Sequence, residues 1–197
     1  TLYSFPGSTP ASIGIDTRSD VGLTDAALNR ASVVSANVAA TNGVLHGIDK
    51  VLVPPGVLTV VQMAQSNPTF SVLVEAVVSA NLADTLSGAG PFTVFAPTDS
   101  AFAAALGELG LSKAQLLASP DLASILTYHV VSGDVRAAAV VAAPKPFTVP
   151  TLLPGATFSV DAAIDITDGQ GRIAKLLATD VVASNGVIHA IDKVLLP

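Results

Sequence analysis

The chain has 197 residues, half of them hydrophobic and 12% charged, with a formal net charge of −6 and a pI near 4.7. So much apolar side chain excludes a disordered polymer, and nine scattered basic residues exclude a nucleic-acid partner, whose phosphates need clustered Lys and Arg. The absence of cysteine removes disulfide and thiolate chemistry, and with no run of about 18 apolar residues (Ala137 to Pro144 comes nearest) no transmembrane segment is expected and the protein reads as soluble.

The first ten residues, TLYSFPGSTP, show no basic region followed by an apolar run, so no signal peptide is expected in this numbering. From Pro55 onward, Val57, Val60, Val61 and Ala64 sit at helical spacing, closed by Ser66-Asn-Pro-Thr. Asn67 is a candidate N-cap with Pro68 at the first helical position, where its missing N–H is harmless. The following helix carries Phe70, Leu73, Val74, Val77 and Ala80 on one stripe and is broken by Gly88-Ala-Gly-Pro91. Phe92 to Ala96 reads as a short strand closed by Pro97, after which Thr98 or Asp99 can cap the next helical turn. Ser112 and Gln115 have capping-box spacing, and Ser119-Pro120 precedes Leu122, Ile125, Leu126 and His129, so this middle region is predicted helical.

Val135 to Lys145 is ambiguous between helix and strand. Strands then dominate: Thr148 to Leu153, where Pro150 demands a sheet edge; Ala156 to Val160; Ala163 to Thr167; Ile173 to Val182; and Gly186 to Leu195. Asp168-Gly-Gln-Gly-Arg172 and Ser184-Asn-Gly supply the turns. The last run is apolar on both alternating faces, as suits a strand covered on both sides. Helices first and antiparallel strands later describe an α+β unit.

One stretch occurs twice. Asn42 to Pro54, NGVLHGIDKVLVP, and Asn185 to Pro197, NGVIHAIDKVLLP, agree at ten of thirteen positions and lie 143 residues apart (185 − 42). A period that long signals tandem whole domains rather than solenoid repeats of roughly 20–50 residues. The likeness extends upstream, pairing Val21–Asp25 with Ile164–Asp168 and, in a shifted register, Phe5-Pro-Gly-Ser8 with Leu153-Pro-Gly-Ala156. Residues 1–54 therefore match only the second half of the unit, and residues 55–197 form the full unit.

Three motifs resemble those of a known family. Thr93-Val-Phe-Ala-Pro-Thr-Asp-Ser-Ala-Phe102 resembles the first conserved block of fasciclin-like domains, Tyr128-His129 their central tyrosine-histidine pair, and Asn185-Gly-Val-Ile-His-Ala-Ile-Asp192 their second block. The resemblance covers residues 55–197 as a whole domain, and residues 1–54 as the back half of another. It implies a wedge-shaped β-sandwich with helices packed along one side, and a secreted or surface-anchored adhesion or matrix-type module without catalysis or cofactor. Thr98, Asp99, Tyr128, His129, Asn185, His189 and Asp192 are the interaction or structural residues it implies. This sequence has no Arg-Gly-Asp tripeptide, and Asn67-Pro-Thr69 is spoiled as a glycosylation site by its proline.

Catalytic and metal readings compete with simpler ones. His129 or His189 could serve as base to Ser100 with Asp99 as orienter; both histidines instead fall on apolar stripes, where a hydrogen-bonded core role is expected. Asp161, Asp165, Asp168 and Asp180 lack calcium-loop spacing and are expected to face solvent in hairpins. Asp192-Lys193, like Asp49-Lys50, reads as a pair of opposite charges on opposite faces of a strand. No catalytic, cofactor-binding or metal-ligating residue is therefore expected. Expected partners are other proteins or matrix polymers, met through the sheet edge and the surface near Tyr128-His129, with self-association or completion by another chain through the half-unit; a chain cut from a longer precursor of tandem units is the competing account of that half-unit. The expected location is extracellular or cell-surface, with periplasm or an organelle lumen as alternative. A small-molecule or lipid-binding lumenal protein is the second reading, and a hydrolase the third.

Overall fold

The computed structural model of the protein describes residues 13–16, 21–144 and 147–197. The expected pairing of Phe5-Pro-Gly-Ser8 with Leu153-Pro-Gly-Ala156 lies outside the described residues, as does Lys145.

The chain opens with an antiparallel sheet of four strands, β1 (Gly14–Asp16), β2 (Gly22–Thr24), β3 (Arg30–Ala40) and β4 (Gly43–Ile48), in that spatial order. Helices follow: α1 (Val60–Ser66), a 3₁₀ turn (Pro68–Phe70), α2 (Ser71–Ser79) and α3 (Ala83–Ser87). Their starts are written locally. Thr59 and Gln62 form a reciprocal capping box on α1, and Asn67 caps the 3₁₀ turn by accepting from the Thr69 N–H. Strand β5 (Phe92–Pro97) is followed by α4 (Asp99–Leu109), α5 (Lys113–Leu117) and α6 (Leu122–Tyr128). Ser112 and Gln115 make the expected capping box on α5, and Gly110 ends α4 in the left-handed conformation.

After β6 (Val130–Ser132) and α7 (Ala137–Ala142) come β7 (Phe147–Pro150), β8 (Thr157–Val160), β9 (Ile166–Thr167), β10 (Ile173–Ala174), β11 (Leu176–Ala183) and β12 (Gly186–Ile191). They form two further sheets, ordered β10-β9-β8-β7 and β11-β12-β5-β6. Pro150 sits on edge strand β7, where its missing N–H costs nothing.

Strand β12 is the middle of the molecule. It pairs antiparallel with β11 and parallel with β5, Gly186 to Ile191 facing Phe92 to Pro97 in register. Its alternation serves two cores: Ile188 and Ala190 pack with Val94 and Ala96 against α1, α2 and α6, while Ile191 packs with Phe95, Tyr128, Phe158 and Ile166 between the sheets. Helices on one face and a second sheet on the other give the expected α+β sandwich.

Three local expectations, on the middle region, the helix before Gly88 and the Asp-Lys pairs, need correction, and two points left open are filled in. The β5–β12 pair is parallel, because the long helical excursion returns the chain in the same direction. The middle region holds strand β6, which pairs with β5. The stretch before Gly88 contains a separate helix, α3, and the ambiguous segment after Val135 contains α7. Asp49 and Asp192 lie beyond the ends of β4 and β12, not on strands, and each accepts a backbone N–H at 2.7 Å, from Ser32 and Lys175.

Candidate functional site

Tyr128 and His129 end α6 inside the molecule, 0% and 2% exposed. The Tyr128 hydroxyl donates to the Thr157 carbonyl at 2.8 Å and accepts the Gly169 N–H at 2.8 Å, joining α6 to β8 and to the β9–β10 turn. His129 Nε2 accepts the Leu195 N–H at 2.9 Å, which makes Nδ1 the protonated nitrogen, donating to the Ile125 carbonyl at 2.7 Å. Burial lowers the His129 pKa to about 4, chiefly by desolvating the cation; the Ile125 carbonyl and Asp168 pull weakly the other way. Burial likewise raises the Tyr128 pKa, against the Gly169 N–H. The expected contact surface near this pair therefore does not include their side chains. They occupy the junction of helix, hairpin and chain end.

The other motif residues are also connectors. Thr98 is the N-cap of α4, accepting from Ala101 N–H at 3.3 Å. Asp99 reaches across to the start of α2, accepting the Val72 N–H at 2.9 Å and the Ser71 hydroxyl. Asn185 accepts the Val60 N–H at 2.9 Å and donates to the carbonyls of Leu86 and Gly88 at 2.9 and 2.8 Å, so one turn amide ties α1 and α3 to the end of β11. His189 accepts the Asp180 N–H at 3.3 Å, donates to the Val135 carbonyl at 2.9 Å, and stacks on Phe95 at 5.3 Å. Burial lowers its pKa as well.

Ser100 is exposed on α4 while both nitrogens of His129 and of His189 are held by backbone, so the structure does not assemble Ser100, Asp99 and a histidine as nucleophile, orienter and base. The carboxylates are similarly committed. Asp161 accepts from Ala163 and Asp165 N–H groups, and Asp180 from the first N–H of α7, Ala137. Asp168, expected in solvent, is buried: it accepts backbone N–H groups from Gln170, Arg172 and Leu196 and pairs with the Arg172 guanidinium at 2.9 Å. The glycine-rich turn signal pointed outward, but it closes over a carboxylate that three N–H groups need.

The first sheet repeats this framework. Asp25 is buried like Asp168 and accepts N–H groups from Ala27, Asn29 and Val53. The Asn37 N–H meets His46 Nδ1 at 3.3 Å, as Asp180 meets His189, and both Asn37 and Asp180 adopt φ near 57–58° at a bulge. What differs is cover. Val38, Val44, Leu45 and Val51 are 46%, 58%, 63% and 91% exposed, whereas their counterparts Val181, Val187, Ile188 and Val194 are at most 6%. Val34 is no part of this contrast, since its counterpart Leu177 is exposed too. The turn of the first sheet does find a partner: Ala27 is buried, and its carbonyl accepts from Asn67 at 2.8 Å. The repeat pairs His46 with His189, but only His189 is enclosed.

Comparison with known proteins bears on this arrangement. The family model of the Fasciclin domain matches residues 5–54 and 68–197. Protein sll1483 of Synechocystis is 44% identical over 146 residues, spanning 71% of this chain and 74% of its own length. Transforming growth factor-beta-induced protein ig-h3 of Sus scrofa is 33% identical over 171 residues, covering 86% of this chain but only 24% of that protein. Among solved structures, a FAS1 domain pair from the insect cell adhesion molecule fasciclin I matches with a TM-score of 0.69 at 23% identity, covering 95% of this chain and 67% of that one.

Proposed function

We propose a protein-binding role for this chain, which belongs to the fasciclin domain family. The role is that of a non-enzymatic adhesion or matrix-type module, acting outside the cytoplasm, at a cell surface, in a matrix or in a periplasm. Residues 1–54 serve as the back half of one fasciclin unit and residues 55–197 as a complete second unit. The motif residues Thr98, Asp99, Tyr128, His129, Asn185, His189 and Asp192 hold that second unit together rather than touching a partner.

The observation that carries the reading is the β3–β4 hairpin, which presents Val38, Val44 and Leu45 to solvent beside a row of backbone groups on the outer edge of β4. Exposed aliphatic strands with an open edge are protein-binding elements. The fold shared with a cell adhesion molecule supports the same direction. The engaged nitrogens of His129 and His189 support a non-catalytic chain. For a lipid or small-molecule carrier the support is weaker: the apolar cavity between α1, α2 and the sheet, lined by Val60, Leu73, Leu86 and Ile188, holds about 30 Å³, space for roughly two waters, against about 300 Å³ or more for a ligand pocket, and the roomier recess of about 410 Å³ beside Gly90, Asp134, Arg136 and Asn185 is an open surface groove rather than an enclosed apolar one. No helix among the described residues is long and apolar enough to cross a membrane.

The test is capture of matrix or surface proteins from the native source on immobilised chain, compared with a Val44→Asp, Leu45→Asp variant that melts at the wild-type temperature. Retained partners in the wild type that are lost in the variant are expected. Equal capture by both, or none by either, would remove the reading.

A further inference from the structure

Residues 133–142 form a strap that leaves the end of β6 and lies against His189. Gly133 is its root, with a φ of 106° that favours glycine and open space where a Cβ would stand. Thr93 fixes that root: its hydroxyl donates to the Gly133 carbonyl at 2.7 Å and accepts the Val135 N–H at 2.9 Å. Further out, two hydrogen bonds hold the strap to the sheet, His189 Nε2 donating to the Val135 carbonyl at 2.9 Å and the Ala137 N–H donating to Asp180 at 3.0 Å. Val140 of α7 is then buried in the cluster that contains Phe95, Val149 and Ile166, while Ala138, Ala139 and Val141 face solvent.

Packing and backbone are both imperfect beneath this strap. A cavity of about 10 Å³ lies there, lined by Phe95, Val135, Val140, Ile164 and His189, so the contact between strap and sheet is incomplete. Ile164, on the same cavity, has a φ of 66°, a conformation that a β-branched residue resists. Strain of that kind persists only while neighbours hold it in place, and Val135 and Val140 of the strap are among those neighbours.

The bonds of the strap meet at one ionisable pair. His189 accepts the Asp180 N–H through Nδ1, so a second proton on the ring sets N–H against N–H. The Asp180 carboxylate faces the ring, and it is the same carboxylate that holds the Ala137 N–H. Asp134 and Arg136 of the strap also face the ring, but they are paired with each other and act on it in opposite directions. Strands β5, β7, β8 and β9 present only the apolar Phe95, Val149, Val160 and Ile166 to this space. Once the ring is charged, one anion has two competing partners.

We infer that the strap is an acid-released latch: protonation of His189 draws Asp180 away from Ala137, frees residues 135–142 to swing about Gly133, and uncovers the apolar floor of Phe95, Val149, Val160 and Ile166 while the sheets remain paired. Burial of the neutral ring gives the sign, since the open form, with its imidazole in water, takes up a proton that the closed form disfavours. The inference goes beyond the protein-binding reading. It concerns an apolar surface that is covered at neutral pH and made available by acid.

The experiment is hydrogen exchange read by mass spectrometry on the whole chain between about pH 7 and about pH 5, corrected for the intrinsic pH dependence of exchange. Protection within residues 135–142 should fall at least about ten-fold toward the acid end, with α6 and Phe92–Pro97 unchanged. The His189 ring resonances, followed by NMR, should titrate with the same midpoint as that loss. His189→Gln keeps a donor for the Val135 carbonyl without a titratable group, and should leave the strap equally protected at both ends of the range. Asp180→Asn is informative even if that variant does not fold, because asparagine stands at the equivalent position 37 with the same backbone conformation. It keeps an acceptor for Ala137 but no anion for the ring, and should move the midpoint to lower pH. A wild-type strap protected equally across the range, an acid loss that both variants leave unchanged, or titration of His189 without opening would each overturn the inference. So would loss of protection in α6 and β5 together with the strap, since the opening is then global.

Discussion

His129 illustrates how a residue can look chemical in sequence and be architectural in place. Its ring is buried, neutral, and bonded at both nitrogens to backbone of α6 and of the C-terminal segment. With a folded-state pKa of about 4, below the 6.5 of an exposed imidazole, the folded protein binds fewer protons than the unfolded chain between those values. The stabilisation is complete above about pH 6.5 and is lost as pH falls toward about pH 4, amounting to on the order of 3 kcal/mol. His189, lowered in the same direction by burial, adds to the loss. Denaturant midpoints measured at about pH 7, 5.5 and 4.5 should decline steadily; a flat profile would mean that the imidazoles are accessible. Asp168 stands beside them as the buried acid that sequence reading placed in solvent, its burial set by the Arg172 guanidinium and by N–H groups of its own turn and of the C-terminal segment.

Elements whose rules are local were legible: the Asn67 and Ser112 caps, the edge position of Pro150, the hairpin at Ser184-Asn-Gly, and the doubly covered β12. The motif residues were legible as members of a site, but not their bonds, since Asn185 and Asp99 act on helices far away in sequence. Also hidden were α3 and α7, too short to show a period, and strand β6, which exists because β5 offers it an edge. The parallel entry of β5 beside β12 could not be read from either strand, because pairing partners leave no local mark. That pairing sets a sharp contrast between two glycines of the repeat. Gly186→Ala drives a methyl into the Phe92 backbone, which has no flexible side chain to yield, and should cost several kcal/mol, on the order of a severe core substitution. Gly43→Ala meets nothing and should alter stability by no more than about 0.5 kcal/mol. Urea unfolding of both variants checks this; similar losses in the two would mean that the glycines answer to turn geometry and not to β5.

At the scale of the whole molecule, protection is unequal. The second unit has two cores joined across β12, while among the described residues β3 and β4 beyond Val33 pair only with each other. Opening free energy follows buried apolar contact and not strand length, so limited proteolysis read by mass spectrometry should cut within residues 33–51 well before Phe92–Pro97. Early cleavage in β5 would contradict the order of cores described above. The Asn185 amide carries this unevenness into time. Val60, 125 residues upstream, waits for it, and β5 likewise stays unpaired on one side until β12 arrives. During synthesis at roughly 5–20 residues per second, the helices and β5 are therefore outside the ribosome for several seconds before their closing strand exists. The nascent chain spends that interval as an unfinished sheet, and shielding by a chaperone would matter most then.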